Sequence, residues 1–180
     1  GAVYDSTMNV FHKLRYAKLY DAMLSTPLNT ADIALGEIGW ALIRGMIYAT
    51  SFLVVLVVLG LAASPWVVLS LPVCLLIGLA FASVGMACTS LMRSWADSEW
   101  ITLTTMPIFL FSATFFPASA YGSWRWVLQL SPLYHGVTLV RAANTGTWSW
   151  SLAGHVAFLL AMALVGMTAT DRRLTKLLLT

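Results

Sequence analysis

Between Gly45 and Met92 the chain carries no Asp, Glu, Lys or Arg over 48 residues. As one helix, rising about 1.5 Å per residue, this run would be roughly 72 Å long, more than twice the ~30 Å hydrocarbon thickness of a bilayer. It therefore has to be two membrane spans with a break between them. Ala62-Ala63-Ser64-Pro65-Trp66 supplies the break, since Pro65 cannot continue a hydrogen-bonded helix and Trp66 favours the interface. Span A is expected at 36–62 and span B at 66–92. The uncharged runs Trp100–Trp124 and Ala142–Thr170 hold span C at 100–116 and span D at 151–170. Composition agrees: of 180 residues, 59% are hydrophobic and 9% charged, with a mean hydropathy of +0.83. A soluble domain carries roughly a quarter charged residues. The expected fold is all-α, a polytopic helical membrane protein with about four complete transmembrane helices.

The ten basic residues behind the net charge of +3 are read by position. Lys13, Arg15, Lys18, Arg93, Arg172, Arg173 and Lys176 fall on one side of the membrane, Arg125 and Arg141 on the other, and Arg44 inside span A. Basic residues accumulate in cytoplasmic segments, so both ends of the set of spans are expected to be cytoplasmic. Residues 1–11 have the character of the inner end of a truncated span or a frayed terminus. In the next stretch, 12–30, Tyr16, Leu19, Tyr20 and Met23 recur at helical spacing with polar residues on the other faces, which fits a helix lying along the interface. Pro27 ends it, and Asn29 or Thr30 caps the next helix, with Asp32 at the positive end of that helix's dipole.

Segment 117–150, between spans C and D, is too interrupted to cross. Gly122 and Arg125 break its first part, and Pro132 suits the first turn of a second helix. Two interfacial or re-entrant half-helices are expected, ringed by Trp124, Trp126, Trp148 and Trp150. With no repeats or linkers, residues 1–180 read as one domain.

The chemistry is narrow. The chain holds no GxxxxGK[ST] loop to cradle a nucleotide phosphate, no HExxH, and no paired intramembrane carboxylates. Cys74 and Cys88 would lie roughly 21 Å apart on one helix, beyond disulfide reach, and read as packing residues. His12, His135 and His155 are scattered in sequence and read as partnered or interfacial rather than as ligands or bases. Glu37 and Arg44 are the charges associated with a span; they share a helix face about 10 Å apart, which favours snorkelling or pairing with a neighbouring helix over a mutual bond. Gly78, Ala82 and Gly85 form a small-residue surface for close helix packing.

Three stretches resemble the permease subunits of ABC transporters of the type-2 export family, most closely the nodulation-factor and antibiotic-resistance exporter group. Lys18-Leu19-Tyr20-Asp21-Ala22-Met23-Leu24-Ser25-Thr26-Pro27-Leu28, followed by Leu35-Gly36-Glu37-Ile38, is similar to the family's cytoplasmic loop between its second and third spans. Phe115-Phe116-Pro117 with Trp124 is similar to its outer re-entrant segment, and Ser131-Pro132-Leu133-Tyr134-His135-Gly136-Val137 with Leu139-Val140-Arg141 to the signature before its last span. Tyr121-Gly122 departs from the pattern, standing where a proline before the tryptophan is expected.

The resemblance implies the carboxy-terminal two-thirds or so of a six-span permease, with 12–30 as a coupling helix. Lys18, Tyr20, Asp21, Met23, Leu24, Thr26 and Pro27 would receive the motion of a separate ABC ATPase subunit, and Phe115, Phe116, Pro117, Trp124, Pro132, Tyr134 and His135 would form an outer gate. It implies no cofactor in this chain, ATP and magnesium being held by the ATPase. The implied partners are that subunit, a second permease copy and membrane lipid, with no nucleic acid. The expected activity is outward movement of an amphipathic drug-like, lipid-linked or saccharide substrate across the plasma membrane. A membrane-embedded transferase using Tyr134, His135 and Arg141, or a non-catalytic assembly subunit, are the alternatives. Against the transferase, no acid lies between Glu99 and Asp171 to orient a base.

Overall fold

The computed structural model describes residues 10–15, 30–62, 64–92, 94–115, 121–122 and 125–178, and every regular element among them is helical. In chain order these are α1 (Val10–Arg15), α2 (Thr30–Val58), a 3-10 turn (Pro65–Leu69) running into α3 (Ser70–Leu91), a 3-10 turn (Trp95–Asp97) running into α4 (Ser98–Leu110), then α5 (Arg125–Leu130), α6 (Pro132–Thr145) and α7 (Ser151–Leu178). Among the described residues three stretches have the length and apolarity to cross a bilayer: Asp32–Val58, Pro65–Leu91 and Ser151–Lys176.

The end of the first is set by glycine. Gly60 takes φ +68°, and the N–H groups of Gly60 and Leu61 return to the carbonyls of Val57 (3.0 Å) and Leu56 (2.9 Å), the Schellman arrangement that satisfies the last carbonyls of a helix. The helix that holds the expected span A therefore runs from Thr30 and stops at Val58, short of residue 62. Pro65 opens the next element instead of breaking the previous one. It comes after Ser64, whose Oγ accepts the Trp66 N–H at 3.3 Å as an N-cap.

The run expected as span C over 100–116 is helical only through Leu110. Thirteen residues give about 20 Å, short of the hydrocarbon thickness. Pro107 lies inside this helix and has no N–H to donate. A tight turn comes next, with Ala113 at φ +56°, a left-handed conformation that costs a non-glycine residue about 1–2 kcal/mol. The last helix continues past residue 170 through Leu178. At the other end of the chain, α1 runs across the expected boundary between residues 11 and 12, with Val10 and Phe11 both buried.

Contacts divide the chain into two compact units. One comprises Gly1–Gly45, Gly78–Ser98 and Ala161–Thr180. Its core gathers Val10, Ile33, Ile38, Ala82, Met86 and Leu174. Here α3 and α7 touch backbone to backbone: a Cβ placed on Gly166 would lie 2.7 Å from the Ser83 carbonyl carbon and 2.8 Å from the Val84 nitrogen. Thr170 closes the crossing, its hydroxyl donating to the Gly166 carbonyl at 2.8 Å and reaching the Ser83 carbonyl at 3.4 Å. Of the expected small-residue surface, Ala82 and Gly85 are buried, and a Cβ on Gly78 would meet Leu42 at 3.0 Å.

The other unit comprises Met46–Ile77 and Glu99–Leu160. Leu53, Val67, Leu128, Leu139, Ala143 and Leu159 are buried apolar residues in it. α6 packs on the Pro65–Leu69 turn. The bare backbone of Gly136 accepts Ile77, whose Cδ1 would lie 2.9 Å from a Cβ there. On α2, Ile47, Phe52, Val55 and Val58 are exposed. Apolar side chains so placed are costly in water and ordinary against lipid tails, where the requirement is satisfied backbone rather than buried carbon.

Candidate functional site

The two charges expected within span A are each engaged locally. Lys13 Nζ donates to Glu37 Oε1 at 2.7 Å and Oε2 at 2.9 Å, with the Glu37 side chain only 12% exposed, so the pair ties α1 to α2. Arg44 lies over the Trp40 ring, its guanidinium carbon 5.7 Å from the centroid. Glu37 is thus bonded to a neighbouring helix rather than to Arg44. The coupling candidates, Lys18, Tyr20, Asp21, Met23, Leu24, Thr26 and Pro27, lie outside the described residues.

Two of the histidines that look scattered in sequence are brought together. His135 on α6 and His155 on α7 meet Nδ1 to Nδ1 at 2.6 Å, and His135 Nε2 sits 2.9 Å from the Gln129 carbonyl. A carbonyl only accepts, so Nε2 of His135 carries a hydrogen. With His135 neutral, its Nδ1 is then the acceptor of a hydrogen from His155. The contact has no acceptor once both rings carry two hydrogens. Tyr134 meets both imidazoles edge-on at 5.9 Å, and Phe158 stacks on His135 at 4.1 Å. The sequence places Tyr134 and His135 in the outer segment but does not mark His155 as their partner. The available signal is the Gly146 turn, from which His135 and His155 are nearly equidistant along an antiparallel pair of helices.

Pro132 takes the first position of α6, as its fixed φ favours. The preceding Ser131 makes no cap bond and instead donates its hydroxyl to the Ile108 carbonyl at 3.2 Å, joining α6 to α4. Phe115 is exposed and meets Phe109 edge-on at 5.4 Å. Phe116, Pro117 and Trp124 lie outside the described residues. Arg141, on the same helix as His135, donates from Nη2 to the Ala113 carbonyl at 2.7 Å and so holds the left-handed turn after α4. Beside it opens a cleft of about 400 Å³ lined by Tyr134, Thr138, Arg141, Thr147, Trp148 and Ser149 among others. Among the described residues, nothing in this arrangement pairs a nucleophile with a base and a carboxylate.

Membrane-length apolar helices joined by short helices define a multi-pass helical membrane protein. The ABC-2 type transporter family matches residues 3–144, and the chain belongs to that family. It is similar to Nodulation protein J of Sinorhizobium fredii (strain NBRC 101917 / NGR234), at 29% identity over 167 residues, covering 92% of this chain and 64% of the relative. Nodulation protein J of Rhizobium meliloti (strain 1021) is likewise 29% identical over 167 residues, with the same 92% and 64% coverage. That of Rhizobium leguminosarum bv. trifolii is 30% identical over 161 residues, covering 88% of this chain and 62% of the relative. The chain thus spans a little under two thirds of the length of these curated relatives. No solved structure matches it.

Proposed function

We propose that the chain is the membrane-spanning permease part of an ATP-driven exporter, moving an amphipathic drug-like, lipid-linked or saccharide substrate outward across the plasma membrane. The observation that carries the reading is the family match over residues 3–144, on a chain with three membrane-length helices among its described residues. In this reading a separate ABC ATPase holds ATP and magnesium, a second permease copy completes the path, and both ends of the spans are cytoplasmic.

Segment 12–30, including Lys18, Tyr20, Asp21, Met23, Leu24, Thr26 and Pro27, takes the push of ATPase closure. The Lys13–Glu37 pair supports this, because it gives such a displacement a route from α1 into α2. A rigid-body shift of helices then alternates the path between its two sides. At the outer end Phe115, Phe116, Pro117, Trp124, Pro132, Tyr134 and His135 form the gate, with the α6–α7 histidine contact holding its inner wall.

The test is reconstitution. The purified chain alone should bind no nucleotide stoichiometrically and hydrolyse no ATP, and should co-purify from its native membrane with a subunit carrying a Walker motif. Substrate-stimulated hydrolysis should appear only with that subunit present. Stoichiometric ATP binding by the isolated chain overturns the proposal.

A further inference from the structure

We propose that the cleft beside Arg141 is a binding site for the headgroup of an anionic phospholipid. The inference stands on the cleft itself and does not depend on the transport reading. Arg141 is exposed at the cleft and spends one N–H on the Ala113 carbonyl. The remaining donors of its guanidinium, which carries five N–H groups, have no carboxylate to meet within this part of the chain, because no Asp or Glu occurs between Glu99 and Asp171. The bond to Ala113 fixes the plane of the guanidinium, and a planar, fixed fork of donors is the arrangement that takes phosphate in two-point contact. Thr147 and Ser149 line the same cleft, their hydroxyls paired with Thr145 Oγ1 at 2.8 Å and Ser151 Oγ at 2.6 Å, so the wall beside Arg141 is polar and uncharged.

Position selects the kind of phosphate. Two of the membrane-length stretches begin here, at Pro65 and at Ser151. Their starts are adjacent: Trp66 meets Trp148 edge-on at 6.3 Å, and a Cβ on Gly146 would lie 3.1 Å from Ser64 Oγ. The cleft is therefore at the level where hydrocarbon gives way to headgroups. Trp148 and Trp150, both exposed, mark that level, which indole rings prefer. At this depth the abundant phosphate is that of lipid. A headgroup with net negative charge satisfies Arg141, whereas a choline headgroup brings its own cation to the site.

Native mass spectrometry of the purified full chain, titrated with phosphatidylglycerol and with phosphatidylcholine, tests this. Phosphatidylglycerol should be retained about tenfold more tightly, the scale of one charge-assisted contact. Arg141→Gln should abolish the difference. Because that change also alters the bond to the Ala113 carbonyl, Ser149→Glu is the second variant: it leaves that bond in place, lies in an exposed non-helical stretch, and places a carboxylate in the cleft. It should abolish the difference too. Equal retention of the two lipids by the unmodified chain, or undiminished preference in both variants, overturns the site. Displacement of bound phosphatidylglycerol by excess inorganic phosphate overturns the lipid assignment in favour of a soluble anion.

Discussion

Gly166 carries the tightest constraint at the level of single residues. Its α-carbon faces the backbone of Ser83 and Val84, so an added methyl has no flexible side chain to push aside. Gly166→Ala should destabilise the chain by about 1–3 kcal/mol, the usual cost of overpacking, despite alanine's better helix propensity. Gly154 on the same helix has open space around it and is the control: Gly154→Ala should be neutral or slightly stabilising. Thermal unfolding in detergent measures both. Equal midpoints for the two variants would mean that α3 and α7 do not approach at Ser83. The expected small-residue surface of Gly78, Ala82 and Gly85 sits on the correct helix, yet the closest approach uses Ser83. Counting small residues at every fourth position marks a face. It does not say which residue of that face meets the glycine of a partner helix, and Ser83 passes as small because its hydroxyl is satisfied by the Leu79 carbonyl at 2.7 Å.

Among the elements, α1 and α2 are joined by the Lys13–Glu37 pair, and exchange of the two charges is the informative experiment. Lys13→Glu or Glu37→Lys alone puts like charges together and should lower stability and, in the proposed exporter, transport, whereas the double variant should recover most of the loss. If the double variant is no better than the worse single one, the pair does not transmit between these helices. The existence of α2, α3 and α7 is legible in the residues themselves, because an uncharged run of membrane length leaves few alternatives. Their ends are less so. Gly60 stops α2 by a left-handed cap, a conformation that glycine permits but does not announce, while the more conspicuous Pro65 starts the next helix. The run 100–116 is long enough to cross by composition, and its Pro107 gives no sign that α4 ends at Leu110. The Ala113 turn beyond it is held both locally, by the Ser112 hydroxyl on the Phe109 carbonyl at 2.6 Å, and by Arg141, which lies 28 residues further on and which no local pattern marks as its partner. Tyr134 and His135 stand out in the outer segment, whereas His155 is found as their partner only by folding α6 and α7 back on each other about the Gly146 turn.

For the whole molecule, the distribution of basic residues predicts which face of the membrane each connection occupies. Seven of the ten basic residues fall in segments assigned to one side, two on the other, and one within a span. Retention of Lys and Arg on the cytoplasmic side then predicts an orientation in which the loop between α3 and α4 and the end of α7 are inside and the turn between α6 and α7 is outside. The adjacent span starts at Pro65 and Ser151 agree with this, since helices that begin at the same face run in the same direction across the bilayer. Ser94, Ser149 and Thr175 are exposed and test the assignment as single cysteines after Cys74 and Cys88 are replaced. A thiol reagent that cannot cross the membrane should label Ser149→Cys in intact spheroplasts. Ser94→Cys and Thr175→Cys should be labelled only once the membrane is opened. Labelling of Ser94→Cys from outside reverses the topology. It would also place the cleft beside Arg141 at the cytoplasmic leaflet and put segment 12–30 out of reach of any cytoplasmic ATPase, so one experiment bears on both ends of the molecule.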